Sequence, residues 1–122
     1  MHTVTYTLTD VNGCTGSATD QITVNALPTV SFTAPADLCL NAGVQAGLGG
    51  GTPTGGVYSG IGVTDAGDGM TYSFDPAAAG VGMNTLTYTY TDPNGCTNSA
   101  MDDIEVFALP NVTFTALTDL CV

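Results

Sequence analysis

Threonine alternates with Leu86, Tyr88 and Tyr90 along residues 85–91, which is the pattern of a strand with one buried side and one solvent-facing side. Asp92-Pro93-Asn94-Gly95 follows as a turn, because proline presets φ and glycine accepts φ > 0. Cys96 opens a return strand over about 97–107, with Ile104 and Val106 inward. Similar but shorter patterns predict strands at 29–33 (Val30 and Phe32 inward), at 37–39 leading into 44–48, in one or two pieces across 57–63, and at 70–74. The glycine-rich run 49–56 and the segment 65–69 separate them as turns. Asp75-Pro76-Ala77-Ala78-Ala79-Gly80 reads as one helical turn, with Asp as N-cap, Pro at the first helical position and Gly as the stop. About seven short strands with turn signals between them predict an all-β protein, an immunoglobulin-like β-sandwich.

The strand–turn–strand text also occurs near the start of the chain, as TVTYTLTDVNGC from Thr3 to Cys14. Residues 1–40 align with 83–122 without a gap, at a constant offset of 83 − 1 = 82, and roughly two thirds of the paired positions are identical. Tyr6/Tyr88, Asp10/Asp92, Cys14/Cys96, Ile22/Ile104, Pro28/Pro110 and Cys39/Cys121 are among the pairs. Such self-similarity at a fixed period is the signature of a tandem array. The junction is marked by Ala26-Leu27-Pro28 and its copy Ala108-Leu109-Pro110, since proline interrupts ladder pairing. One complete repeat is therefore expected over 26–107. Residues 1–25 are read as the C-terminal part of a preceding repeat and 108–122 as the N-terminal part of a following one, so the chain reads as a segment of a longer array.

Composition narrows the function. The 122 residues contain no Lys or Arg against 11 acidic residues, for a formal net charge of −11. Nucleic-acid binding needs cations to neutralise phosphates, and anionic lipid surfaces repel such a chain. No run of 18 apolar residues is present to insert directly into a membrane. With 43% hydrophobic residues and only 9% charged, the chain has the apolar content of a folded domain rather than a disordered polyanion. Salt bridges to Lys or Arg are unavailable, so stability has to come from packing, hydrogen bonds and cross-links.

The four cysteines have no metal-ligand spacing, and the only histidine, His2, is replaced by Asn84 in the second copy. This pattern points to an oxidising compartment and not to zinc. Cys39 and Cys96 belong to the complete repeat, and a bridge between them would close a loop of ~58 residues and stabilise by about 4 kcal/mol in the chain-entropy model. Cys14 and Cys121 would then pair with residues outside this chain. The competing connectivity joins Cys14 to Cys39 and Cys96 to Cys121. No nucleophile–base pair stands out, there is no Trp to platform a sugar, and the glycine run lacks a P-loop lysine. A non-catalytic protein is expected, with no cofactor. Calcium is the one metal to weigh: Asp37, Asp65, Asp68, Asp92, Asn94 and Asp102 could supply oxygen ligands for a weak site at the domain ends, although no EF-hand loop is present.

Three motifs, GGTPTGGVYSGIGV at 50–63, FDPAAAGVG at 74–82 and TYTYTDPNGC at 87–96, resemble the Ig-like/PKD-like repeats of large bacterial surface proteins, many of them exported by the type IX secretion pathway. The resemblance covers 26–107 and departs from true PKD domains, whose W-x-F-G-D-G segment is absent. It implies a β-sandwich in tandem arrays, located extracellularly at the cell surface, in stalks, adhesins or filaments, with neighbouring repeats as partners. Two other roles fit such repeats. One is a ligand-binding module that takes a glycan or protein between repeats or on the glycine-rich loop; the other is a spacer in a secreted multidomain enzyme.

Overall fold

The computed structural model describes all residues, Met1–Val122. Nine strands and one helical turn appear in chain order: β1 His2–Thr9, β2 Thr15–Ile22, β3 Leu38–Cys39, β4 Gln45–Leu48, β5 Val57–Ser59, β6 Val63–Asp65, β7 Tyr72–Phe74, α1 Pro76–Ala79, β8 Gly82–Thr91 and β9 Thr97–Phe107. The protein is all-β. β1 and β2 form a separate two-stranded hairpin. The other seven strands build a sandwich from a four-stranded sheet, β3-β9-β8-β5, and a three-stranded sheet, β4-β7-β6. β8 pairs with β9 antiparallel along its whole length, whereas β3 joins the outer side of β9 in parallel, Leu38 opposite Val106 and Cys39 opposite Phe107.

Alternation sets what each sheet buries. Leu86 and Tyr88 on β8, Ile104 and Val106 on β9 and Tyr58 on β5 meet Tyr72 and Phe74 on β7, and Phe32 completes the core. Tyr58 stacks on Tyr72 at 4.5 Å between ring centroids, and Phe32 approaches both edge-on at 5.8 and 6.3 Å. Offset and edge-to-face pairs of this kind add to the free energy of area burial. As expected for a crossover, α1 lies between β7 of one sheet and β8 of the other; the Asp75 carboxylate caps it by accepting from the Ala77 N–H at 2.9 Å.

The strand expected at 29–33 is the main departure. It shrinks to a single bridge between Ser31 and Thr52. The segment follows β9 by side-chain bonds instead of a backbone ladder: Asn98 Nδ2 donates to the Pro28 carbonyl at 2.9 Å, and the Ala34 N–H donates to Asp102 Oδ2 at 2.8 Å. Proline at the start and the partner change from Thr52 to β9 leave no room for a continuous ladder. Phe32 still reaches the core. The pieces across 57–63 prove to be two strands, β5 and β6, and the strand expected at 70–74 begins only at Tyr72 because Asp68 holds Met70 and Thr71 in its turn.

Candidate functional site

The glycine-rich run is a socket for tyrosine. The Tyr88 hydroxyl accepts from the Gly56 N–H at 2.9 Å and donates to the Pro53 carbonyl. The Tyr58 hydroxyl accepts from the Gly51 N–H at 3.0 Å and donates to the Met70 carbonyl at 3.2 Å. A Cβ on either Gly51 or Gly56 would lie 2.5 Å from the Tyr88 ring, closer than any side chain tolerates. Glycine is needed here so that backbone can lie flat against an aromatic face. Sequence reasoning treated this run as a long turn; the missed signal was its pairing with the tyrosines of the alternating strand. Tyr72 completes the aromatic group differently: its hydroxyl is buried without a hydrogen-bond partner, and burial pushes its pKa up to about 12. Burial also raises the Tyr58 pKa.

The carboxylates considered for calcium are not gathered into a cage. Asp37 Oδ1 accepts from the Glu105 N–H at 2.9 Å, at the end of the sandwich where β9 finishes. Asp92 Oδ1 accepts from Asn94 and Cys96 N–H groups, both at 2.9 Å, in the turn at the opposite end. Asp102 lies between them along β9 and binds the N–H groups of Ala34 and Asp103. Asp65 ties the Tyr58 and Gly67 N–H groups, while Asp68 binds Met70 and Thr71. Each acid closes a turn or pins a neighbouring segment, and no cluster of three metal-ligating acidic, histidine or cysteine side chains forms. The six residues considered for calcium are spread along the sandwich instead of meeting at one point. Hydrogen bonds to the carboxylates explain two lowered pKa values: the Thr71 hydroxyl and backbone donors lower that of Asp68 to about 2, and the Ala34 and Asp103 N–H groups lower that of Asp102.

The Cys39–Cys96 bridge is corrected. Cys39 is level with Phe107, the last residue of β9, and Cys96 immediately precedes its first residue. The two cysteines are thus separated by the length of β9, ~36 Å at ~3.3 Å per residue. A disulfide requires Cα atoms within about 7 Å. Cys39 is exposed beside the downstream end of the sandwich and Cys96 half-exposed at its upstream end; Cys14 and Cys121 are exposed, and none of the four is bonded to another within this chain.

An open groove lies on the β1–β2 hairpin, lined among others by Tyr6, Leu8, Cys14 and Ala18. These residues correspond to Tyr88, Tyr90, Cys96 and Ala100 at the offset of 82. In the second copy, the Gly51–Gly56 socket and Tyr58 cover the equivalent face. On the hairpin the corresponding face is open to solvent. No protein-family model matches the chain, and no curated protein or solved structure does either.

Proposed function

We propose that this chain is part of a tandem array of Ig-like/PKD-like repeats in a long extracellular protein of the bacterial cell surface, where the repeats build a stalk, adhesin or filament and carry out no catalysis. The observation that carries this reading is the gapless repetition of 40 residues at an offset of 82, together with the hairpin at 2–22 that reproduces the β8–β9 pairing while its apolar face lies open. A lone two-stranded hairpin is marginally stable in water, and a place as the end of another sandwich would give this one a covering layer. The junction supports a stiff array: Ala-Leu-Pro joins the repeats with no Gly/Ser linker, which limits bending. Absence of Lys and Arg removes every trypsin site, an advantage for an exposed fibre.

On this reading a pitch is expected from the length of β9. Pro28 is held level with Asn98, and from Asn98 the chain runs along β9 to the equivalent Pro110, a rise of ~40 Å at ~3.3 Å per residue. Negative-stain imaging of the intact surface protein tests the reading. Beads at a regular spacing of about 40 Å are expected; an aperiodic particle, or a monomer that is retained by one specific glycan or protein, would replace the scaffold with a binding module.

A further inference from the structure

We propose that consecutive repeats are joined by a disulfide, from the cysteine at the downstream end of one repeat (Cys39) to the cysteine in the turn at the upstream end of the next (the equivalent of Cys96). The inference rests on the tandem-array reading and adds a covalent lock at each junction.

The argument is one of position along the strand direction. β3 ends at Cys39, opposite Phe107, and the Leu40 N–H still donates to the Phe107 carbonyl at 2.9 Å before the chain turns away. Cys39 therefore marks the rim at which the chain leaves the repeat. From Phe107 to Pro110 the chain advances by at most ~10 Å. In the next repeat, the proline at this position is held by the residue equivalent to Asn98, as Asn98 holds Pro28 here at 2.9 Å. The turn cysteine lies two residues before that asparagine, so it projects back toward the preceding repeat by ~7 Å. The two advances nearly cancel. Cys39 and the following turn cysteine come to within ~3 Å of the same axial level.

The same junction occurs once in this chain, at 25–28. Asn25 corresponds to Phe107, so the missing upstream counterpart of Cys39 would sit beside Asn25, facing Cys96. Laterally, Cys39 is one strand spacing, ~4.8 Å, from β9, the turn cysteine is set off from the line of the chain by the reach of the Asn98 side chain, and a bridge selects the rotation between repeats that brings them together. Both turn cysteine and rim cysteine are solvent-accessible. This connectivity leaves all four cysteines of the present chain with partners in other repeats. It also places the covalent bond where two acidic domains without a single Lys or Arg abut and repel. Bridge formation breaks two S–H bonds, makes one S–S bond and releases two protons; the two electrons pass to an external disulfide such as glutathione disulfide, which is reduced to two thiols.

A chain in which residues 26–107 are repeated once more after Phe107 tests the bridge, since the whole hydrophobic core falls within that range. After equilibration with glutathione disulfide, chymotryptic mapping without reduction should find the Cys39 peptide linked to the Cys96 peptide, with two thiols lost per junction. Cys39→Ser in the first copy should abolish the link, and the same change in the second copy should leave it in place. Thiols that all stay free, a link insensitive to the first-copy substitution, a link through Cys14, or one that disappears on dilution because it joins separate chains would each overturn the proposal. Free thiols alongside a regular ~40 Å bead spacing would remove the bridge and leave the array standing; loss of the spacing would remove the array itself.

Discussion

The two copies of the Thr-rich hairpin have the same local structure and opposite environments. In each, the turn aspartate accepts from the N–H groups two and four residues on, at 2.8 and 2.9 Å for Asp10 and at 2.9 Å twice for Asp92. Gly13 and Gly95 adopt φ of 81° and 83°. Strand register is the same, Thr3 opposite Gln21 and Thr85 opposite Asp103. Yet Tyr6 is 67% exposed and its counterpart Tyr88 is 0% exposed. Val4, Ile22 and Val24 are likewise open to solvent, while Leu86, Ile104 and Val106 are sealed. Turn chemistry and cross-strand pairing thus make the hairpin in either setting. What the segment 26–107 adds is a second layer, and with it nearly all of the hydrophobic stabilisation.

The sharpest way to break this comparison is at the paired tyrosines. Tyr88→Ala should cost about 3–5 kcal/mol, the range for emptying a large aromatic site in a core. Tyr6→Ala should stay within about 0.5 kcal/mol, as surface changes do. Urea unfolding followed by tyrosine fluorescence measures both, and equal losses would mean that the hairpin belongs to the folded core after all. If Tyr88→Ala does not fold, Tyr88→Phe leaves the Gly56 N–H without its partner and should cost about 1–3 kcal/mol.

Glycines give a second contrast. Gly51→Ala places a methyl group against the Tyr88 ring, and should destabilise by about 1–3 kcal/mol through overpacking. Gly16 has open space around its Cβ direction and no left-handed φ, so Gly16→Ala should fall within about 0.5 kcal/mol of neutral. An equally tolerated pair would show that the socket around Tyr88 yields.

Tyr72→Phe is expected to stabilise the sandwich by about 1 kcal/mol, because it deletes a buried hydroxyl that has no partner. A loss of stability would reveal a hydrogen bond, direct or through water, that this hydroxyl makes in solution.

The smallest effect concerns acid. Asp68 has a folded-state pKa near 2, below the ordinary 3.8. Its contribution is thus fully present above the unfolded value and is lost as pH falls from about 3.8 through 2. Asp68→Asn should reduce the drop in melting temperature across that window, and carboxyl-carbon NMR should place the Asp68 midpoint well below those of ordinary aspartates. A midpoint at the ordinary value would mean that the Thr71 bond is not maintained in solution.

Legibility in the sequence followed the range of the interaction. The β8–β9 strands, both Asn-Gly turns, the Asp75 cap and the inward set Leu86, Tyr88, Ile104 and Val106 could be read because each depends on residues close in the chain or on a period of two. The strand at 29–33 was over-read. Its alternation is real and Phe32 is buried, but whether a ladder forms depends on Thr52 and on the side chains of Asn98 and Asp102, tens of residues away. The cysteine pairing failed for a related reason. That both residues lie near strand ends was legible from the turns; that they lie at opposite ends is a property of the parallel β3–β9 pairing, which has no local signature. The acids followed the same rule, since turn residues occur wherever turns do and only the tertiary arrangement decides whether they converge.

By itself, the sequence determined the 40-residue repetition at an offset of 82, the hairpin and its register, and a polyanionic surface with no Lys or Arg of its own, because these follow from identity, alternation and charge. The tertiary structure alone decided which copy of the hairpin is covered, why glycines line the Tyr88 ring, and that Cys39 and Cys96 lie at the two ends of the sandwich. Those depend on which sheet lies over which and on the direction in which a distant strand joins the edge. Contacts between residues far apart in the chain set both, and a linear pattern does not encode them.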